Sequence, residues 1–285
     1  LNQWKSEIDA FFPGLRVGIF QGPKQEVDPE QYDCTICMLQ SVIQKPTADQ
    51  VFSKYGFTIF DECHHLGAAH FSKVLMKIQT KWMLGLSATP TRDDGLTKVF
   101  EWYLGVPVYW EKIREPDATV SVYVRSFDYD DYQYSEPPVD WKGEVVMARL
   151  LGQIVGYEPR TQAIAEIIRQ WIAESTERRI LVLSERKEHL NRFEELLQST
   201  GVNIGYYIGG MTDKDRELSA TQSRIILATY AMASEAMNIK TLNAVVLASP
   251  RKKVEQSTGR ILRIRPEQRN LEHRILDFID GHDLY

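Results

Sequence analysis

The sequence predicts an α/β fold made of two parallel-sheet domains in tandem. Short apolar runs that are typical of strands alternate along the chain with amphipathic segments that are typical of helices. This alternation predicts parallel strands joined by right-handed crossovers. In the second half of the chain the runs are continuous in Val, Ile and Leu, which indicates strands covered on both faces. The two halves therefore look like two copies of one architecture.

The length, the charge and the cysteine content limit the possible functions. A chain of 285 residues accommodates two domains of ordinary size. No apolar run approaches the ~18 residues that a membrane span needs, so we expect no membrane partner. The net charge of −5 argues against an overall nucleic-acid-binding coat but permits a local basic groove. Three cysteines cannot form a disulfide framework, which predicts a reducing, intracellular compartment.

The first predicted domain covers residues 1–115. A helix is predicted over residues 2–12, because apolar residues recur there at helical spacing until Pro13-Gly14 stops the pattern. Apolar runs bounded by turn residues or charged segments follow, and they predict strands. These strands are predicted at residues 17–20, 34–39, 57–60 and 82–86, with a further helix at 71–78.

Residues 116–158 interrupt the α/β pattern. Five carboxylates and three tyrosines are interleaved around Pro137-Pro138. The carboxylates are Asp128, Asp130, Asp131, Glu136 and Asp140, and the tyrosines are Tyr129, Tyr132 and Tyr134. We interpret this segment as an ordered but irregular connector between the domains. For its individual residues the simpler interpretation is a solvated acidic loop.

The second predicted domain covers residues 159–285. Its first helix carries one apolar face, formed by Ile164, Ile167, Ile168, Trp171 and Ile172. Strands are predicted at residues 180–183, 204–208, 225–228, 244–248 and 274–279, with helices around 190–197 and 254–262. Strands that alternate with helices again predict a parallel sheet.

The strand at residues 57–60 ends in Asp61-Glu62-Cys63-His64-His65. Two acids at the carboxyl end of a parallel strand lie where open α/β sheets bind their ligands. One carboxylate there can hold Mg²⁺, and its neighbour can orient a water for phosphoryl transfer. The phosphate-binding motif that usually accompanies such acids is absent, since the chain contains no Gly-Lys dipeptide.

Three short motifs together resemble those of a superfamily 2 helicase. Asp61-Glu62-Cys63-His64 resembles motif II, the DExH box. Ser87-Ala88-Thr89 resembles motif III, and Gln256-Ser257-Thr258-Gly259-Arg260-Ile261-Leu262-Arg263 resembles motif VI. Each motif alone is modest evidence, but their order extends the resemblance over nearly the whole chain. The resemblance implies that both domains are RecA-like.

Longer signatures narrow the resemblance. Residues 86–96, Leu-Ser-Ala-Thr-Pro-Thr-Arg-Asp-Asp-Gly-Leu, are similar to the XPB-like branch of repair and transcription-factor DNA helicases and to its relatives in phages and large DNA viruses. Residues 35–41 resemble motif Ib, and residues 208–211 and 228–235 resemble the second-domain motifs of the viral relatives. The resemblance implies ATP and Mg²⁺ as cofactors and nucleic acid as partner, with DNA favoured over RNA. It also suggests contact with transcription or replication machinery, in the nucleus, the cytoplasm, or a virus-infected cell or virion.

By the same resemblance, Asp61 holds Mg²⁺ through water and Glu62 orients and activates the attacking water. His64 links the nucleotide site to motif III, where Ser87 and Thr89 are the coupling residues. A simple cap at the end of the strand remains the alternative for His64, and more strongly for His65.

The resemblance implies that Arg260 and Arg263 act as arginine fingers towards ATP. They lie three residues apart on a predicted helix and so project from one face, and Gln256 lies one turn earlier on that face. Arginine suits this role because its planar fork engages phosphate bidentately. The alternative is a solvated basic helix.

Seven positions that match family motifs are candidate nucleic-acid contacts: Gly22, Gln40 and Ser41 in the first domain, and Ser184, Arg186, Gly209 and Thr229 in the second. Enzymes of this group grip mainly the phosphate backbone, for which small polar groups and amides suffice. Each residue alone is equally typical of a turn or a helix cap.

The chain departs from the family at motifs I and V. In the family, motif I lies upstream of the helix predicted at residues 2–12. We therefore expect a first domain that is incomplete at its N-terminus, and a parent protein with a further segment of roughly a hundred residues.

In motif V the family usually has Gly-Leu/Met-Asp-Ile after the Glu, whereas this chain has Ala236-Met237-Asn238-Ile239. An Asn lacks the charge of Asp, which puts the coupling to the second domain in question.

Three functions remain open. The leading one is an ATP-driven helicase or translocase on duplex DNA, from which we expect negligible hydrolysis in these residues alone because motif I is absent. The second is a catalytically dead motor remnant that binds nucleic acid or a partner. The third is the motor subunit of a restriction or repair nuclease, which requires a nuclease motif outside these residues.

Overall fold

The computed structural model describes residues 1–46, 51–88, 91–92, 94–110, 117–235, 237, 239–252, 254, 258 and 266–281. The chain divides into two compact units, Leu1–Arg114 and Glu115–Tyr285. We refer to them as unit 1 and unit 2 and describe each by itself.

Unit 1 contains short strands and helices in alternation. Its helices are α1 (Asn2–Phe11), α2 (Leu39–Gln44), α3 (Lys73–Lys77) and α4 (Thr97–Leu104), with a 3₁₀ helix at Cys63–Gly67. Its strands are β1 (Val17–Gln21), β2 (Lys24–Gln25), β3 (Cys34–Cys37), β4 (Phe57–Phe60) and β5 (Trp82–Gly85). In the described residues these strands form two sheets, a three-stranded one in the order β2-β1-β3 and a two-stranded one of β4 and β5. The predicted parallel pairing holds for β1 with β3 and for β4 with β5.

One face of the β4–β5 sheet builds the core of unit 1 and the other remains exposed. Phe60, at the end of β4, is 4 % exposed and packs in the core with Leu66. Phe57 pairs with Trp82 in the parallel register, and these two side chains are 52 % and 64 % exposed. Because side chains alternate across a strand, the same face continues with Ile59 and Leu84, which are also exposed. Unit 1 therefore carries an uncovered apolar sheet face.

Unit 2 is built on one six-stranded sheet. Its strands are β6 (Val120–Phe127), β7 (Ile180–Ser184), β8 (Ile204–Tyr207), β9 (Ile225–Thr229), β10 (Ala244–Leu247) and β11 (His273–Asp280). Its helices are α5 (Tyr132–Ser135), α6 (Met147–Gly156), α7 (Glu158–Glu174), α8 (Lys187–Leu197), α9 (Asp213–Gln222) and α10 (Tyr230–Glu235), with 3₁₀ helices at Gln198–Thr200 and Pro266–Gln268. The strand order is β6-β11-β10-β7-β9-β8, and every pairing is parallel.

The central strands of this sheet are covered on both faces, as their continuous apolar sequences predict. All five residues of β7 are buried. Ile180 and Val182 pack with Leu190 and Phe193 of α8 on one face. On the other face, Leu181 packs with Tyr230 of α10.

The segment that the sequence predicts to be an irregular connector contains a regular strand. β6 pairs with β11 over eight residues, from Val120 opposite His273 to Phe127 opposite Asp280. It is an edge strand, and several of its side chains are exposed. Residues 120–127 therefore belong to the sheet of unit 2. The alternation of β-branched residues in this strand is the signal that the neighbouring acidic residues obscured.

Candidate functional site

The turn after β4 presents two exposed carboxylates, Asp61 and Glu62. Asp61 Oδ1 accepts a hydrogen bond from the Glu62 amide at 3.0 Å, and its Oδ2 accepts one from Trp4 Nε1 at 2.9 Å. A carboxylate oxygen has two acceptor sites, so both oxygens keep capacity for a further donor. Trp4 was not predicted as a site residue, because it lies 57 positions away in sequence.

Glu62 has a left-handed backbone, with φ 49° and ψ 47°. It is the one non-glycine residue with positive φ in the described part of the chain. Such a conformation costs roughly 1–2 kcal/mol for a residue that has a Cβ. It turns the chain sharply from β4 into the 3₁₀ helix Cys63–Gly67 and leaves the Glu62 side chain about half exposed. Strain of this kind is common at functional turns.

His64 connects this turn to the segment after β5. Its Nδ1 lies 2.8 Å from Ser87 Oγ and 3.4 Å from Glu62 Oε2. The histidine thus contacts both the predicted water-activating carboxylate and the predicted coupling serine. His65 lies beside His64 with ring centroids 4.2 Å apart and the ring planes tilted by 39°.

Arg92 fixes the same region and was not predicted as a site residue. Its Nη1 donates to the His64 carbonyl at 2.7 Å, and its Nε donates to Asp94 at 2.9 Å. The side chain crosses Gly67 so closely that a Cβ there would lie 2.7 Å from Arg92 Cδ. The hydrogen bond from Arg92 lowers the pKa of the Asp94 carboxyl. Arg92 therefore positions the backbone of the DExH-like turn.

The described residues contain no group of three or more His, Cys, Asp or Glu side chains that could hold a metal ion. Mg²⁺ does not require such a cage, because it keeps several waters and binds through one or two carboxylates together with substrate phosphates. Asp61 and Glu62 are exposed carboxylates in adjacent positions. They fit a magnesium ion that is held with a nucleotide.

In unit 1, two of the predicted nucleic-acid contacts lie together. The Gly22 amide donates to Ser41 Oγ at 3.1 Å. This bond joins the turn after β1 to the start of α2, where the neighbouring Gln40 is exposed. Ser41 is only 8 % exposed. Its hydroxyl therefore holds the turn, while Gln40 and the turn residues themselves face solvent.

In unit 2, Ser184 is fully buried and its side chain does not reach solvent. Its Oγ accepts a hydrogen bond from the Arg186 amide at 3.2 Å and lies 3.0 Å from His189 Nδ1. In this structure the Ser184 hydroxyl has a structural role, since it caps the turn that leads into α8. Thr161 Oγ1 holds the other ring nitrogen of His189 at 3.2 Å.

The remaining predicted contacts of unit 2 lie at one edge of its sheet. Thr229 ends β9 and is the register partner of Ser184 at the end of β7. Arg186 follows β7, is exposed, and borders an open cavity of about 500 Å³. Gly209 follows β8, and its carbonyl accepts a hydrogen bond from Lys187 Nζ at 3.4 Å. The carboxyl ends of three adjacent parallel strands thus gather these residues.

A network after β10, with Ser249 and Tyr230 buried at its centre, adds residues that were not predicted. Ser249 Oγ accepts from the Glu185 amide at 2.9 Å, and the Ser249 carbonyl accepts from Tyr230 OH at 2.8 Å. Arg251 pairs with Glu185 and lies over the Tyr230 ring at 4.9 Å. This network ties the turn after β7 to the chain that leads towards the predicted motif VI.

Four predicted site residues lie outside the described residues: Thr89, Gln256, Arg260 and Arg263. In the motif V segment, Ala236 and Asn238 also lie outside the described residues, whereas Met237 and Ile239 are buried in the core of unit 2.

Every helix in the described part of the chain is too short or too polar to span a bilayer.

Two family models match the chain. Residues 1–92 match "Type III restriction enzyme, res subunit", and residues 161–265 match "Helicase conserved C-terminal domain". The first match includes the DExH-like turn, and the second includes all the predicted site residues of unit 2.

Viral proteins of known sequence are similar to the chain over most of its length. "Putative ATP-dependent RNA helicase L396" of Acanthamoeba polyphaga mimivirus is 33 % identical over 273 residues, which cover 93 % of this chain and 50 % of that protein. "Putative ATP-dependent RNA helicase QP509L" of African swine fever virus is 28 % identical over 284 residues, which cover 92 % of this chain and 54 % of that protein. The chain thus spans about half the length of these relatives.

A solved structure shows the same fold. The helicase domain of Hef from Pyrococcus furiosus matches with a TM-score of 0.60 at 13 % identity, over 98 % of this chain and 84 % of that one. At this identity the match concerns the fold alone, and it confirms the predicted α/β architecture with RecA-like parallel-sheet domains in tandem. The two family models match regions that are conserved in superfamily 2 helicases, so the chain is similar to that superfamily in each of its two units.

Proposed function

We propose that the chain is the ATPase core of a nucleic-acid helicase or translocase, with Asp61 and Glu62 at the site of hydrolysis. The observation that supports this most directly is the contact of His64 with both Glu62 and Ser87. A cap at the end of a strand does not require a histidine between a catalytic-type carboxylate and the motif III serine. A sensor that passes the state of the nucleotide to motif III does require a residue in contact with both of these groups.

Each residue has a defined part in this proposal. Glu62 orients the attacking water and accepts its proton. Asp61, held by Trp4 and by the Glu62 amide, would hold the magnesium ion through water, and the ion would supply neutralising charge to the phosphates of ATP. Arg260 and Arg263 are proposed to stabilise the charge that develops on the transferred phosphoryl group.

The nucleic-acid contacts are proposed at the turns after β1 and β3 in unit 1 and after β7, β8 and β9 in unit 2. Exposed Gln40 and Arg186 are the proposed side-chain contacts, and Gly22, Gly209 and Thr229 are further proposed contacts at these turns. Ser41 and Ser184 shape these turns through the bonds described above. We propose duplex DNA as the substrate on the signature at residues 86–96, although the names of the two viral relatives specify RNA.

A second candidate function is supported by the sequence itself. The chain contains no Gly-Lys dipeptide, and hence no phosphate-binding lysine of the usual motif. A motor remnant that binds nucleic acid without hydrolysing ATP has this property. Intact Asp61, Glu62 and His64 favour the motor, since a remnant has no need of them.

The test compares hydrolysis and binding in the natural protein that contains these residues. Glu62→Gln is expected to lower nucleic-acid-stimulated ATP hydrolysis by about a hundredfold or more, because it removes the general base, and to leave nucleic-acid affinity unchanged. Arg186→Ala is expected to weaken binding and to reduce its salt dependence. Arg169→Ala is the matched control, since Arg169 lies on α7 and pairs with Glu166.

The two candidates predict different outcomes. Hydrolysis that is absent in the natural protein, or unchanged by Glu62→Gln, contradicts the motor and supports the remnant. Duplex DNA and duplex RNA of equal length, compared at one salt concentration, decide the substrate. These 285 residues alone are expected to show negligible hydrolysis; turnover that disappears in their Glu62→Gln variant contradicts that expectation.

A further inference from the structure

Three aromatic side chains of residues 128–145 in unit 2 are exposed to solvent. Tyr129, Tyr132 and Trp141 are 48 %, 81 % and 88 % exposed. Aromatic side chains bury about 150–250 Å² each when they pack, so this segment leaves much apolar area unused. We call it the 128–145 segment.

The 128–145 segment is anchored to unit 2. The Asp131 carboxylate caps α5 by accepting from the Gln133 amide at 2.9 Å. Tyr134, which is 1 % exposed, donates from its hydroxyl to Asp280 at 2.7 Å. From α6, Gln153 Nε2 donates to the Glu136 carbonyl at 2.8 Å. The exposed rings are therefore held by an ordered backbone.

Trp141 is carried at the tip of a closed turn. Val139 and Val145 form an antiparallel bridge at the base of this turn. Asp140 Oδ1 accepts from the amides of Lys142 and Glu144 at 2.8 and 3.0 Å. Gly143 supplies the left-handed residue, with φ 82°. The turn is thus shaped by its own hydrogen bonds, so its backbone needs little further ordering when a partner binds. Lys142 Nζ lies 4.9 Å from the centroid of the Trp141 ring, which shows that this ring accepts a cation.

The charge of the segment indicates what kind of partner fits. It carries six carboxylates and a single basic residue, Lys142. Its formal net charge of −5 equals that of the whole chain, so the other residues sum to neutrality. The flanking acids Asp117 and Glu158 pair with Arg269 and Arg192. Among the described residues, the ion pairs include none of the exposed carboxylates within the segment, which are Asp128, Asp130, Glu136 and Glu144.

From these observations we infer that the 128–145 segment docks a Lys- or Arg-rich peptide segment of a partner protein. Cations bind over the faces of Trp and Tyr rings, and carboxylates beside the rings supply charge-assisted hydrogen bonds. Nucleic acid fits poorly, because its phosphates meet unneutralised carboxylates. The inference is independent of the proposed ATPase function.

The experiment measures the fluorescence anisotropy of a labelled peptide of alternating Arg and Gly, titrated with the whole chain. A Glu-Gly peptide of the same length and a single-stranded DNA oligonucleotide are titrated in parallel. The Arg-Gly peptide is expected to bind, and the other two are not. Removal of two rings in Tyr132→Ala/Trp141→Ala is expected to weaken peptide binding by about tenfold, since each exposed cation–π contact contributes a few-fold.

Two further variants separate specific docking from general charge attraction. Trp102→Ala removes another exposed ring, 78 % exposed and located in unit 1, and is expected to leave peptide affinity unchanged. Asp128→Asn/Asp130→Asn/Glu136→Gln keeps the rings and is expected to weaken binding and flatten its salt dependence. Peptide affinity that survives loss of both rings overturns the inference. Oligonucleotide binding that depends on Trp141 also overturns it and assigns the surface to nucleic acid.

Discussion

At the residue scale, Glu62 combines a proposed catalytic side chain with an unfavourable backbone. Its φ of 49° lies in the region that glycine tolerates best. Glu62→Gly is therefore expected to raise the free energy of unfolding by about 0.5–1 kcal/mol, which is the relieved strain less the greater freedom of glycine in the unfolded chain. Urea denaturation measures the change. Glu62→Ala is the control, because it loses the same side chain but keeps the Cβ; a Gly variant no more stable than the Ala variant contradicts the strain.

His189 gives the stability of unit 2 a pH dependence. Burial, followed by the charge of Arg160, lowers its pKa from 6.5 to about 3. The folded state thus requires the neutral ring, and the unfolded state takes up a proton below pH 6.5. The contribution to stability is complete above that pH and is lost as the pH falls, by at most roughly 1.4 kcal/mol per unit.

The measurement is the free energy of unfolding between about pH 7 and 5, where most carboxylates remain ionised in both states. His189→Asn is expected to flatten the slope of the free energy of unfolding against pH over this range. Exposed His70→Asn is the control and is expected to retain the slope of the original chain. Equal slopes for all three proteins contradict the assignment.

At the scale of secondary-structure elements, one buried ion pair joins α7, β11 and α5. Arg160 and Asp280 are both fully buried and form a bidentate pair, to which Tyr134 adds a hydroxyl donor. Arg160 Nη1 also donates to the Ala248 carbonyl at the end of β10, at 2.6 Å. The pair therefore fixes the last strand against the helix that opens the second predicted domain.

Loss of one partner of this pair leaves the other charge buried. Asp280→Asn is expected to lower the free energy of unfolding by about 3–5 kcal/mol, as measured by urea denaturation. The apolar double variant Arg160→Met/Asp280→Leu is expected to cost less than Asp280→Asn alone, because neither charge is then left in the core. This account is contradicted if the double variant loses as much free energy of unfolding as Arg160→Met and Asp280→Leu lose together when each is made alone.

At the scale of the whole molecule, the sequence predicted what short-range patterns determine. The strands of unit 2 were predicted because continuous apolar runs specify burial on both faces. The acids after β4 were predicted as site residues because open α/β sheets bind their ligands at the carboxyl ends of parallel strands. The contact of Trp4 with Asp61 was not predicted, since nothing local indicates it. The burial of Ser184 depends on His189, whose packing only the structure supplies, and β6 was missed because its alternating pattern adjoins an acidic stretch.

The pairing of β6 with β11 also sets an order of events during synthesis. About 150 residues of chain separate the paired positions, so among the described strands of unit 2 β6 leaves the ribosome first and its sheet neighbour β11 leaves last. During that interval the backbone N–H and C=O groups of β6 remain unpaired and open to other strands. Translation that pauses before residue 273 therefore prolongs the time during which β6 is open to pairing with other strands.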